Sequence, residues 1–380
     1  MIKIISQSVF TKHALKIIGR SNQKRRLTNQ TKRHPVTEAS PIDFKEEETI
    51  LKKLVPQIRE DVTNESLIYH TNMPKIKRQF QKLFDDAVEN LKLKYLASPL
   101  TTINAYKHFK RDYTEEELMK AGILGWCFKL QDIAMIIIDD ILDESVTRYN
   151  KPVLYRKVGI KQAITDSIYF ETSANFLLLK HFSEHKYFAK IQKELICNLG
   201  PTTISQRKEL TKYNLEDFEV YESLVKSFPF LIHGVSSAMY LANIQDPELH
   251  SIVKKFCMDI CIFGKRYDDF TALVEPTTPL EKDNTDIAAS RITWMAVQVS
   301  KLATPQQKKT FMEHYGSSDP KSISIIFDIY QELNLVEYFD IYREKFYDDM
   351  HTRIHNLPHQ LPKQFFYDIL DYAVINCFYA

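Results

Sequence analysis

Apolar residues recur at helical spacing along most of the chain. From about residue 40 they fall on one helix face, as in Ile50, Leu51, Leu54 and Ile58. No run of alternating apolar and polar positions predicts a sheet, and only eight glycines are present, few for a β-rich protein. We therefore predict an all-α fold. Beyond residue 60 the same period predicts helices at about 80–91, 115–145, 161–184, 187–206, 216–243, 247–273, 287–302, 321–335 and 362–378.

Prolines divide this pattern, and no repeat or low-complexity linker interrupts it. The simplest organisation is a single catalytic domain over residues 38–380. Breaks or helix starts are expected at Pro99, Pro152, Pro201, Pro229, Pro247, Pro276, Pro279, Pro320, Pro358 and Pro362.

Residues 1–37 differ from the rest, because they hold nine Lys or Arg and the first acidic residue is Glu38. A basic, acid-free leader with Ser, Thr and scattered apolar residues is typical of a mitochondrial transit peptide. A disordered basic tail is the alternative. We predict mitochondrial localisation from this leader, and a cytoplasmic protein otherwise.

The body of the chain is mildly acidic, with 42 Lys and Arg against 49 Asp and Glu once the leader is set aside. We expect no nucleic-acid ligand. No stretch reaches the roughly 18 uncharged apolar residues of a membrane span, so we expect no transmembrane segment. The five cysteines form no Cys-x-x-Cys pair and are interpreted as core thiols.

The apolar run at 133–138 leads directly into Asp139, Asp140 and Asp143. Asp139 and Asp143 are four residues apart, so a helix places both carboxylates on one face, where they repel each other. Magnesium commonly binds such carboxylates together with water and phosphate oxygens. A solvated acidic helix end is the alternative, and we prefer it for the pairs at 85–86 and 348–349.

A second apolar segment, 256–263, leads to Asp268 and Asp269. Two apolar helices that each end in paired aspartates can face one another across a cavity and hold several metal ions. Cations follow both clusters, and metal ions with such cations can stabilise a departing diphosphate. Each cation alone would be interpreted as a surface charge. The candidates are Arg148, Lys226, Lys282 and Arg291.

Together these residues resemble the trans-isoprenyl diphosphate synthases, and most closely the farnesyl diphosphate synthase branch. The resemblance rests on the first aspartate cluster with its trailing Ser145-Val146-Thr147-Arg148, on Gly125-Trp126-Cys127 upstream, and on Lys282 with Asp286 downstream. It covers about residues 40–380. It implies a prenyltransferase or terpenoid-synthase-like helical bundle around a central apolar cavity, a prenyl diphosphate substrate, three magnesium ions and a homodimer.

The resemblance also assigns roles by position. Gln206 and Glu209 fall where the family has a Gln-x-x-Asp pair near the metals. Asp139, Asp140, Asp143, Asp268 and Asp269 would bind metal; Asp139, Asp140, Asp143 and Lys226 would be catalytic; Arg148, Lys226, Lys282 and Arg291 would bind the diphosphate.

Three residue patterns depart from the family: two concern the second substrate, isopentenyl diphosphate, and the third concerns the metal coordination used in elongation. Chain-elongating members bind this substrate through a Gly-Gly-Lys-x-x-Arg segment, but the corresponding stretch 95–106 contains no Gly, Lys or Arg. Tyr149 follows Arg148 where a second arginine is usual, and Ala272 replaces a third aspartate. The diphosphate of the second substrate would therefore meet no cation in the stretch 95–106 or directly after Arg148. Ionisation without condensation is therefore favoured.

That combination is similar to the insect-type terpene synthases, and our preferred hypothesis is a sesquiterpene synthase. It would convert farnesyl diphosphate into an olefin or alcohol, as a lyase or hydrolase, with a pheromone or its precursor as product. Ala134 and Met135, at the positions that limit chain length in the resembled family, leave room for a farnesyl chain. Phe228 and Phe230 would stabilise the cation or belong to the ordinary core. There are two alternatives. One is a prenyltransferase, namely a chain-elongating farnesyl or geranyl diphosphate synthase, and the other is a catalytically silent partner subunit of such a synthase.

Overall fold

The computed structural model describes residues 44–67, 73–88, 97–148, 151–209, 221, 231–274 and 286–376. These residues form fourteen α-helices and one short pair of antiparallel strands, which confirms the all-α prediction. The elements are α1 (Lys45–Ser66), α2 (Pro74–Val88), α3 (Ala97–Phe109), α4 (Glu115–Leu142), β1 (Thr147–Arg148), β2 (Lys151–Pro152), α5 (Leu154–Val158), α6 (Ile160–Phe182), α7 (Phe188–Glu209), α8 (Ile232–Leu241), α9 (Pro247–Val274), α10 (Trp294–Leu302), α11 (Pro305–His314), α12 (Pro320–Glu332), α13 (Leu335–His355) and α14 (Lys363–Asp371), followed by a π-helical turn (Tyr372–Asn376).

Several predicted boundaries differ from the observed ones. Pro247 and Pro320 begin helices as predicted, but the break expected at Pro201 is wrong, because α7 continues through it. The helix predicted from residue 287 begins only at Trp294, where the Thr293 side chain caps it. The predicted ranges do not include α3, α5, α11 and most of α13.

Helix α4 is the centre of the bundle. Its start is fixed by a capping box in which Thr114 and Glu117 bind each other's backbone N–H groups. Almost every residue from 121 to 134 is buried against α1, α3 and α6. Among the described residues it is the one helix long and apolar enough to cross a membrane, and 78% of its most apolar stretch is buried inside the protein. That burial accounts for its composition.

Two apolar clusters fill the bundle. The larger one joins α1, α3, α4, α6 and α8 to the first half of α9 and to α14. The smaller one joins the end of α9 to α10, α12 and α13, and includes the stacked rings of Phe270 and Phe339, 4.1 Å apart. Tyr267 and Tyr342 pack against both clusters. The single domain over residues 38–380 stays a prediction.

Helices α3 and α4 approach closely because Gly125 lacks a side chain. A Cβ atom there would lie 3.0 Å from the Cα of Pro99 and 3.1 Å from its carbonyl oxygen. The neighbouring Trp126 is 1% exposed and donates from Nε1 to the Leu51 carbonyl at 3.2 Å. A larger residue at position 125 would have to push the α3 backbone away.

We therefore predict that Gly125→Val lowers the free energy of unfolding by about 1–3 kcal/mol, the usual cost of overpacking a core. Urea unfolding followed by circular dichroism measures it. Lys120→Val, at an exposed position of the same helix, is the control for the lower helix propensity of valine. Equal unfolding free energies for the two variants would contradict the close packing at Gly125.

Candidate active site

The first aspartate cluster lies at the C-terminal end of α4, where Arg148 forms ion pairs with two of its carboxylates. The Arg148 guanidinium donates from Nη2 to Asp139 Oδ2 at 2.6 Å and from Nε to Asp140 Oδ1 at 2.9 Å. Arg148 is 8% exposed and Asp140 5%, so solvent screens these ion pairs weakly. The chain turns between α4 and β1, where Glu144 has φ of 51° and the Ser145 N–H donates to the Asp140 carbonyl at 3.0 Å. Arg148 therefore reaches back to the helix that precedes it.

Gln206 brings α7 to the same cluster. Its side-chain Nε2 donates to Asp139 Oδ1 at 2.9 Å, and the residue is 6% exposed. Both oxygens of the Asp139 carboxylate therefore accept hydrogen bonds from described side chains. The structure thus places Gln206 beside Asp139, where the family resemblance expected it to lie near the metals.

The second cluster lies near the end of α9 and centres on Asp269, which is 3% exposed. The carboxylate pairs with Lys265 Nζ at 3.1 Å and accepts hydrogen bonds from the Trp294 backbone N–H at 2.8 Å and the Tyr221 hydroxyl at 3.4 Å. Burial raises the pKa of Asp269 to about 6, and the positive charge of Lys265 opposes that rise. Asp268, next to it, is half-buried.

The segment that contains Arg291 connects the two clusters. The Arg291 Nη2 is in close contact with Asp143 Oδ1, although the two residues are 148 positions apart. Its Nε lies 3.8 Å from Asp286, and its carbonyl accepts from the Tyr315 hydroxyl at 2.7 Å. The segment 286–294 therefore binds Asp143 at one point and Asp269 at another.

The donor chemistry of these clusters suits magnesium, which prefers carboxylate oxygens. In the described part of the chain, however, no three His, Cys, Asp or Glu side chains are placed to hold one ion. Arg148 and Arg291 instead contact the carboxylates of the first cluster. The residues fit a magnesium ion by type, provided that these guanidinium groups give up their present contacts.

Other predicted site residues are placed less fully. Ala134 is 2% exposed, and its carbonyl accepts from Ser167 Oγ of α6 at 2.9 Å. Met135 is half-buried beside it. Outside the described residues lie Lys226, Phe228, Phe230 and Lys282, and so do the side chains of Glu209 and Ala272.

The structure also reveals a polar contact between α3 and α4 that was not predicted. Ser98 Oγ donates to Asp132 Oδ2 at 2.8 Å, and Lys129 lies one turn away on α4. Burial raises the pKa of Asp132, an effect that Lys129 opposes, and burial lowers the pKa of Lys129. The available signal was two charged residues inside an otherwise apolar stretch.

Known proteins similar to this chain are prenyl diphosphate synthases. A curated relative from Murgantia histrionica, "Farnesyl pyrophosphate synthase", is 27% identical over 71% of this chain and 69% of its own length. An Arabidopsis thaliana relative, "Farnesyl pyrophosphate synthase 1, mitochondrial", is 29% identical over 66% of this chain and 68% of its own.

A solved structure of T. brucei farnesyl diphosphate synthase with a bisphosphonate superposes with a TM-score of 0.77. It is 19% identical, and the match covers 87% of this chain and 99% of that one. This likeness confirms the predicted isoprenoid-synthase-like bundle. The polyprenyl synthetase family pattern matches residues 96–333, a span that contains both aspartate clusters. The chain belongs to the polyprenyl synthetase family.

Proposed function

We propose that the protein is a magnesium-dependent prenyltransferase of the farnesyl diphosphate synthase type, which acts on an allylic prenyl diphosphate. The observation that carries the proposal is that the segment 286–294 joins the two aspartate clusters, since Arg291 contacts Asp143 and the Trp294 N–H donates to Asp269. The names of the curated relatives support it. The prenyltransferase, held as an alternative on sequence grounds, thereby becomes the first candidate.

In this proposal Asp139, Asp140 and Asp143 bind magnesium from one side, and Asp268 and Asp269 bind it from the other. Bound magnesium supplies positive charge that stabilises the leaving diphosphate. The resemblance suggests three ions.

Arg148 and Arg291 have the complementary task of binding the diphosphate. Each guanidinium presents several N–H donors in a planar fork and binds phosphate oxygens in bidentate fashion. Both now contact carboxylates at the site, so a small rearrangement would let them bind substrate oxygens. The carbon–oxygen bond then breaks with its electron pair leaving on the diphosphate, and the allylic cation adds to the double bond of a second substrate, which loses a proton.

A terpene synthase, the hypothesis preferred on sequence grounds, remains the second candidate. The observation that favours it is the hydrogen bond from Ser98 to Asp132, because Ser98 belongs to the stretch that carries cations in chain-elongating members. A carboxylate there repels a second diphosphate, although Lys129 one turn away opposes that effect. The allylic cation would then lose a proton or capture water, giving a sesquiterpene.

One set of incubations tests both candidates. Protein lacking residues 1–37 is mixed with magnesium and geranyl or farnesyl diphosphate, with and without isopentenyl diphosphate, and the products are identified by mass spectrometry. A longer diphosphate that forms only with isopentenyl diphosphate is the expected result. A hydrocarbon or alcohol from farnesyl diphosphate alone would establish the second candidate instead. No turnover in any mixture would refute both.

In the same assay we expect Asp139→Asn and Asp143→Asn to reduce turnover by about 100-fold or more, a typical loss when one electrostatic contact to the transition state is removed. Asp349→Asn is the matched control, because it alters the exposed Asp-Asp pair on α13. Full activity in both cluster variants would remove the metal role assigned to them.

We further propose that the chain forms a homodimer through α6 and α7. Both helices expose apolar side chains at spacings of about one turn or its multiples. Ile164 and Ile168 of α6 are 41% and 57% exposed, and Ile196 and Ile204 of α7 are 60% and 55% exposed. Exposed apolar patches of this kind mark interaction surfaces. A second copy of the chain would cover them.

Light scattering coupled to size exclusion should therefore give twice the 44.6 kDa mass of the chain, and Ile168→Asp should shift the protein toward monomer. Met312→Asp, on α11 and also 57% exposed, is the control and should remain dimeric. A wild-type monomer, or an Ile168→Asp variant that stays dimeric, would reject this interface.

We also propose that residues 1–37 direct the protein to mitochondria. The support is their basic, acid-free composition and the word mitochondrial in the name of one relative. These residues fused to a fluorescent reporter should bring it into mitochondria. Replacing the nine Lys and Arg of the leader with Gln should abolish import, and a diffuse cytoplasmic signal from the unmodified leader would disprove its targeting role.

A further inference from the structure

A cavity, here called the α10 cavity, lies between α9, α10 and α13 and has a volume of about 290 Å³. Its walls are aromatic: the Trp294 ring lies 6.0 Å from that of Tyr338 and 6.4 Å from that of Tyr342. This volume is close to the lower end of the range that small organic ligands use. The apolar wall suits an aliphatic or aromatic group.

Three basic side chains line the same cavity, one from each helix: Arg266, Lys301 and Lys345. Its described lining contains no acidic residue. The Arg266 guanidinium lies 5.5 Å above the ring of Tyr342 and donates to its hydroxyl at 3.2 Å. Lys345 is exposed and forms no hydrogen bond or ion pair with the described residues. An anionic group at this cavity would be attracted by these side chains, two of which, Arg266 and Lys301, also interact with other residues.

Gln298 adds a polar group in the wall. It is 6% exposed, lines the cavity, and makes no hydrogen bond with any part of the chain that the structure describes. Its amide N and O are not among the buried side-chain atoms that lack a hydrogen-bond partner, so they are open to the cavity. A ligand oxygen or nitrogen bound inside the cavity could therefore form a hydrogen bond with this amide.

From these three observations we infer that the α10 cavity is a binding site for an amphipathic organic anion. The apolar part of the ligand packs against Trp294 and Tyr338. Its phosphate, sulfonate or carboxylate head lies among the three basic side chains, and Gln298 hydrogen-bonds a head-group oxygen. The inference goes beyond the proposed function and does not depend on it.

The cavity is adjacent to the aspartate site but has its own lining. Trp294 and Tyr221 belong to both, since each lines the cavity and donates a hydrogen bond to Asp269. Lys345 lines the cavity and has no contact with an aspartate of the two clusters among the described residues. Charge reversal at Lys345 therefore separates the two sites experimentally.

The test uses the full chain and anilinonaphthalene sulfonate, an aromatic anion whose fluorescence rises in apolar surroundings. We expect saturable binding at one site, with energy transfer from tryptophan because Trp294 lines the cavity. Lys345→Glu should weaken binding about fivefold or more, the effect of about 1 kcal/mol. Lys309→Glu, the same charge reversal at an exposed position of α11, is the control and should bind like the wild type.

Competition identifies the ligand class. Dodecyl phosphate should displace the probe. Dodecanol has the apolar chain without the anionic head, and inorganic phosphate has the anion without the chain, so neither should displace the probe at the same concentration. Equal affinities in Lys345→Glu and Lys309→Glu would overturn the proposal. So would displacement by inorganic diphosphate with magnesium, which would place the probe at the aspartate clusters.

Discussion

Carboxylates crowded at the ends of two apolar helices are the constraint on which the site depends. Asp139, Asp140 and Asp143 follow a buried stretch of α4, and their mutual repulsion there must be compensated by cations. Arg148 supplies one from just beyond the helix, and Arg291 supplies another from 148 residues downstream of Asp143. Two parts of the chain that are distant in sequence are thereby drawn together.

The same constraint explains why α10 begins late. The Arg291 side chain contacts Asp143. The preceding Ser290 has a left-handed backbone conformation with φ of 57°, which interrupts a right-handed helix at this point. Helix α10 then starts at Trp294, whose N–H donates to Asp269. A helix N-terminus favours a negative charge, so the N-terminus of α10 stabilises the Asp269 carboxylate. The apolar pattern across 287–302 contains no sign of this, because it records burial and not charge.

The three aspartates of the first cluster and Arg148 could be found from sequence because they are local: these four residues lie within ten positions of one another. Two of the partners of Asp269 could not be found in this way, since one is a backbone N–H group and the other, Tyr221, lies 48 residues away. Helix α3 was missed for another reason. Thr101 and Thr102 are buried, and their hydroxyls donate to the carbonyl of Ser98, so polar residues occupy positions where the helical pattern requires apolar ones.

The two candidate functions share the aspartate site and differ at the contact between α3 and α4. Both proposed functions begin with ionisation of an allylic diphosphate, but condensation also needs a place for a second anion. At that contact the chain has one buried cation, Lys129, and one anion, Asp132. Burial raises the pKa of Asp132, so neutralising it with a proton costs less free energy than for an exposed carboxylate. The Lys129 charge and the hydrogen bond from Ser98 act in the opposite direction and favour the charged carboxylate. In the terpene-synthase proposal, it is this retained negative charge that would repel a second diphosphate.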